Sequence, residues 1–131
     1  QAAGFEEWME ERLQTGIRVL VIGGCTTTSC VRVSSQAVQR HFGSRGLQVV
    51  VDLDLCGARM DNYDPSHTKH DAHLQTLYGD AVKGHSAVDL ALMQMREAGV
   101  CVVPRWCWQE DSGLDPNIAP PFGPKFDSRD V

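Results

Sequence analysis

The sequence predicts an α/β fold with a parallel sheet, and three observations carry the prediction. Apolar, β-branched runs at 17–22, 47–53 and 100–103 are short enough to be strands. They are apolar almost throughout, as strands buried on both faces are. Stretches of helical periodicity separate them, so the connections read as right-handed βαβ crossovers. The expected architecture is a three-layer α/β/α sandwich, of which about three strands and three helices of a larger sheet are present.

Composition bounds the reading. With 131 residues, 42% of them hydrophobic, the chain is about one domain. The domain is expected over 1–103, with 60–84 as a loop insertion and 104–131 as a Pro-rich tail. Lys and Arg number 12 against 17 Asp and Glu, giving a net charge of −5 without a basic cluster. That balance argues against nucleic acid and anionic membranes as partners. No apolar run approaches the roughly 20 residues of a membrane span, and residues 1–14 are acidic where a signal peptide is basic. A cytoplasmic protein is expected. The five cysteines, at 25, 30, 56, 101 and 107, lack the close pairing of a zinc site and read as reduced thiols.

In chain order, Phe5, Trp8, Met9 and Leu13 share one face of a first helix, with Glu6, Glu7, Glu10 and Glu11 off it. Gly16 stops that helix, and 17–22 forms the first strand. Gly23-Gly24 and a polar turn follow, and helical periodicity resumes at Cys30. The second helix, 30–41, places Val31, Val38 and Phe42 near one face. A thiol at a helix start lies where unpaired N–H groups and the macrodipole stabilise an anion, which favours thiolate over thiol. The second strand, 47–53, runs into Asp54, Leu55, Cys56 and Gly57. The polar stretch 60–84 is too long for an ordinary connection and reads as a functional or variable insertion. A third helix over 85–97 sets Val88, Ala91, Leu92 and Met95 on one face, Gly99 ends it, and 100–103 is the third strand. Ligands of such sheets bind at the carboxyl ends of the strands.

The segment Gly24-Cys25-Thr26-Thr27-Thr28-Ser29-Cys30-Val31 resembles the isochorismatase-like cysteine hydrolases, the superfamily of nicotinamidases and N-carbamoylsarcosine amidohydrolases. Their hallmark is an apolar strand ending in Gly, two small residues joined by a cis peptide, Thr, two further residues, then the nucleophilic Cys and Val. Residues 49–57, ending Asp-x-Cys-Gly, and 85–103 look like the family's following strand, helix and strand. The resemblance spans about 5–103 and implies a Rossmann-like α/β fold. It also implies Cys30 as nucleophile, with the amides of Thr26 and Cys30 as oxyanion donors and a cis peptide from Cys25 to Thr26 that turns the Thr26 amide inward. A thiolate attacks an amide or imide carbonyl, and fixed N–H donors stabilise the resulting oxyanion.

The family's triad is Asp, Lys and Cys. Its Asp and Lys come from strands that precede the segment matched here, so neither has a counterpart. Lys69, Lys83, Lys125, Asp54 and Asp61 match neither motif. The chain therefore reads as the C-terminal half of such a hydrolase, cleaving C–N bonds in a small amide, carbamoyl or imide substrate through a Cys30 acyl-enzyme. Members that hydrolyse isochorismate lack the nucleophilic Cys, so Cys30 argues against that reaction. Expected partners are a small-molecule substrate, an N-terminal half of the same fold in a separate chain or further segment, and copies of the chain in a homo-oligomer. No cofactor and no metal is expected.

Each feature has a plainer reading. Cys30 could be a buried structural thiol, and the whole chain a non-catalytic pseudo-enzyme acting as an interaction module. Cys25 and Cys56 read as packing residues at strand ends. Residues 26–29 also read as an N-capping run through Thr28 or Ser29. Arg32 reads as a surface or interface residue. His67, His70 and His73 fit a solvated loop better than a metal site. Tyr63, Tyr78 or His67 could form a substrate lid. Trp106 and Trp108 read as anchors for the tail or a subunit contact. Nucleotide binding by Gly23-Gly24 is disfavoured, because the turn itself, CTTTS, has no glycine.

Overall fold

A computed structural model describes residues 3–107. The first helix, α1 (Phe5–Gln14), buries Met9 and Leu13, while Trp8 stays 45% exposed with the Arg12 guanidinium 5.7 Å from its ring centre. Strand β1 spans Val19–Cys25, starting later and ending later than expected. The delay has a local cause. Ile17 N–H donates to Arg12 O at 3.1 Å and Arg18 Nη1 to Leu13 O at 2.9 Å, so these residues close α1 before the ladder begins.

A wide helical turn, Thr27–Val31, follows β1 and leads directly into α2 (Arg32–Phe42). Strand β2 (Gln48–Gly57) pairs parallel with β1 from Val19 opposite Gln48 to Ile22 opposite Val51. The register then shifts: β1 advances to Gly24 while β2 advances to Cys56, leaving Asp52 to Leu55 as a bulge. Gly23 accommodates this bulge, since a Cβ there would lie 2.6 Å from Leu55 Cβ. Gly24 adopts φ +129°, which side chains disfavour.

The 60–84 segment is not the loop expected from its polarity. It folds into two short helical turns, Met60–Tyr63 and Gly79–Val82, around α3 (Pro65–Thr68) and α4 (Ala72–Tyr78). Asp64 and Asp71 supply the order, accepting from Ser66 N–H at 2.9 Å and Leu74 N–H at 3.1 Å as N-caps. Helix α5 (Ala87–Glu97) starts on a reciprocal cap between Ser86 and Asp89. Strand β3 (Cys101–Val103) pairs parallel with β2, so the sheet order is β1-β2-β3.

Helices α1, α2 and α5 contribute Met9, Val38, Phe42, Leu92 and Met95 to a core against Val49, Val51 and Val102. The opposite face carries Val19, Val50 and Val103, with Val21, Cys101 and Trp106 beside them. Among the described residues no helical side chain belongs to that second cluster. The molecule is thus α/β with a three-stranded parallel sheet, as the sequence predicts. No helix of the described residues is long and apolar enough to cross a membrane. The anchoring role expected of Trp108, and the tail beyond 107, lie outside the described residues; Trp106 is half-buried against β3.

Candidate active site

The site forms at the carboxyl end of β1. Gly23 and Gly24 end the apolar run, and the Cys25–Thr26 peptide that follows is cis, as the resemblance implied. The Thr26 carbonyl then accepts two N–H groups, from Ser29 at 3.0 Å and Val31 at 3.1 Å. The Val31 bond spans five residues, so the turn is wider than an α-turn, a widening that recurs at functional positions. Cys30 lies inside this turn with its side chain exposed, immediately before α2. Thr27 anchors the turn from below: it is 2% exposed, and its Oγ1 donates to Gly57 O on β2 at 3.2 Å.

The capping role expected of Thr28 and Ser29 does not occur, since no side chain caps the turn. The turn closes on backbone groups alone, and Thr28 is used differently. Its carbonyl accepts from Arg32 Nε at 2.8 Å, and its Oγ1 accepts from Asn62 Nδ2 at 3.3 Å. Arg32 is accordingly half-buried, and its Nη1 reaches Gln94 Oε1 on α5 at 3.4 Å. Tyr78 donates to that same oxygen at 2.7 Å. Tyr78 is therefore held down on α5, whereas Tyr63 and His67 are exposed.

The other thiols divide by position. Cys25 is exposed at the end of β1, contrary to the packing role expected for it, because the ladder ends there opposite Gly57 with no layer above it among the described residues. Cys56 is half-buried opposite Gly24; burial pushes its pKa up, the Gly24 backbone opposes this, and the Asp52 charge adds to it. Burial likewise raises Cys101 on β3, with Arg96 opposing. All five thiols are free.

Neither lysine of the described residues belongs to the Cys30 turn. Lys69 and Lys83 line a separate depression with Gln75, Asp80 and Val82. His67, His70 and His73 sit on α3, between the helices and on α4, so they share no helical face, and they line another open depression with Asp71. No group of three His, Cys, Asp or Glu among the described residues is placed to hold a metal ion.

Sequence reasoning missed Asn62 and Gln94. Gln94 carried a signal, being a polar residue inside the apolar stretch ALMQM of α5. Asn62 carried none, since its partner lies far away in the chain. Fold and site together define an α/β protein with an exposed cysteine in the first helical turn after a parallel strand. Compared with known family models, curated proteins and solved structures, the chain matches none.

Proposed function

We propose that the chain is the C-terminal half of an isochorismatase-like cysteine hydrolase, acting on a C–N bond in a small amide, carbamoyl or imide substrate. The observation that carries this reading is the position of Cys30, an exposed thiol in the wide turn that joins the end of β1 to α2. Cys30 Sγ attacks the substrate carbonyl, forming a C–S bond, and the carbonyl electron pair moves to oxygen. The backbone N–H groups of Thr26 and Cys30 stabilise that oxyanion. Collapse expels the amine, which takes up a proton, and water then hydrolyses the thioester and frees Cys30. The proton carriers are an Asp and a Lys on an N-terminal half that pairs along the edge of β1 left open among the described residues and completes the three-layer sandwich.

Competition labelling tests the reading. With limiting iodoacetamide near neutral pH, Cys30 is expected to be carbamidomethylated before the other four thiols, read by peptide mass analysis. Equal or slower labelling of Cys30 sinks the enzyme reading. Intact mass analysis of the native assembly is expected to show a second polypeptide or segment beside this one; a single chain with hydrolase activity overturns the incomplete-site part.

A second reading, a non-catalytic interaction module, draws on a different observation. Lys69 and Lys83 line a depression apart from the Cys30 turn, and a sheet face carries Val21, Cys101 and Trp106 without helical cover among the described residues. Under that reading Cys30→Ala leaves binding to a partner unchanged, and Cys30 does not outpace the other exposed thiols, Cys25 and Cys107.

A further inference from the structure

Two hydrogen-bonded routes run from the 60–84 segment to Thr28, two residues before Cys30. The short one is direct, from Asn62 Nδ2 to Thr28 Oγ1. The longer one runs from Tyr78 Oη to Gln94 Oε1, from Arg32 Nη1 to the same oxygen, and from Arg32 Nε to the Thr28 carbonyl. Gln94 is the junction. An arginine can only donate, so the side-chain oxygen of Gln94 must face Arg32, and Tyr78 then donates to it as well. All three side chains of the longer route are half-buried, which limits competition from water.

We propose that Gln94 is a positioning residue for the Cys30 turn, acting through Arg32 and coupling that turn to the 60–84 segment through Tyr78. The inference deepens the hydrolase reading and rests on it for the meaning of Cys30 reactivity. The coupling itself is a statement about hydrogen bonds. Backbone bonds close the wide turn through Thr26 O at one end and through Ser29 O, which accepts from Arg32 N–H, at the other, while the side chains of Arg32 and Asn62 hold Thr28 between them, so the orientation of Cys30 also depends on what holds Thr28. Arg32 Nε alone is a local contact within one helical turn. Gln94 prevents the guanidinium from swinging away, and Tyr78, donating to the same oxygen, fixes Gln94. Movement of α4 therefore reaches the nucleophile turn without passing through the sheet.

Amide hydrogen exchange and thiol labelling on the full chain test this together. Gln94→Ala, which loses the links to both Arg32 and Tyr78, is expected to speed exchange of the 28–31 amides about tenfold, and Tyr78→Phe, which loses one, about threefold. Gln94→Glu keeps an acceptor for both donors and is expected to restore exchange to within about twofold of the native rate. The labelling ratio of Cys30 to Cys25, an exposed thiol outside the network, is expected to fall in the same order. Met93→Ala, at an exposed neighbouring position, serves as the control. Should Gln94→Ala fail to fold, Tyr78→Phe removes a single hydroxyl and carries the same test. Unchanged exchange in Tyr78→Phe, or no recovery in Gln94→Glu, overturns the coupling. A native Cys30 to Cys25 ratio at or below one overturns the hydrolase reading instead, while the exchange data still decide the coupling.

Discussion

Gly23 is the residue on which the site's geometry turns, because the β2 bulge passes where its side chain would be. Adding a methyl there brings carbon atoms to 2.6 Å, which forces β1 and Leu55 apart. Gly23→Ala is therefore expected to destabilise the fold by about 1–3 kcal/mol, read as a lower urea midpoint; an unchanged midpoint contradicts the close approach. The sequence displayed both glycines, but it could not say which one met a neighbour and which one needed an unusual backbone angle. The thiols make a second residue-scale prediction. Burial raises Cys56 and Cys101 above the ordinary thiol value, so at a given pH each holds less thiolate than an exposed cysteine. Both are expected to label more slowly than Cys25. In the linkage sense, a raised thiol pKa means the folded state holds its proton longer than the unfolded chain. Their contribution to stability is complete below the unfolded thiol value of about 8.5 and is lost as pH rises through their folded values. Denaturation midpoints of the reduced protein that stay flat from pH 8 to 10 count against that sign.

Elements were legible where short-range periodicity dictates them and illegible where distant residues do. Helices α1, α2 and α5 followed from apolar spacing, because one face of each meets the sheet. The start of β1 was misplaced because Ile17 looks like strand, yet its N–H closes α1 and its side chain is 42% exposed. Residues 60–84 misled for the opposite reason: their polarity suggests a loop, but Asp64, Asp71 and Pro65 start helices there without an apolar stripe. Helix α5 shows how much one cap contributes. Ser86 Oγ accepts from Asp89 N–H at 3.0 Å, and Asp89 Oδ2 accepts from Ser86 N–H at 3.0 Å. Ser86→Ala is expected to cost about 1 kcal/mol in urea denaturation, and a loss below a few tenths speaks against the reciprocal cap. The β2 bulge depends on Asp52, 5% exposed, whose carboxylate accepts from Asp54 N–H at 2.9 Å and Trp106 N–H at 3.0 Å. Asp52→Ala removes a carboxylate acceptor from both N–H groups, although Asp54 N–H keeps the Pro104 carbonyl at 3.1 Å. A loss of about 1–3 kcal/mol is expected, with a changed Trp106 emission as the chain leaving β3 comes loose.

At the scale of the molecule, the helices of the described residues pack on one face of the sheet, and the two faces should respond differently to the same insult. Leu20 and Ile22 on β1 point toward the core shared with α1, α2 and α5, whereas Val19 and Val21 point the other way. This division follows from the alternation of side chains along a strand, which the sequence carries, but the one-sided cover does not, because it depends on where each crossover lands. On the proposed reading, the second face and the outer edge of β1 receive an N-terminal half of the same fold. Edge strands and apolar sheet faces left uncovered invite association, so this surface should decide assembly more than folding. Leu20→Lys puts an ammonium into the helix-covered core and is expected to lower stability by roughly 2–3 kcal/mol in urea denaturation. Val21→Lys, on the half-buried position of the other face, is expected to leave the urea midpoint within about 0.5 kcal/mol while abolishing association, read by native mass spectrometry. Equal destabilisation by both substitutions would mean that this chain's own residues fill the second face. In that case the partner must be sought along the β1 edge alone, where the carboxyl end of the strand already presents Cys30.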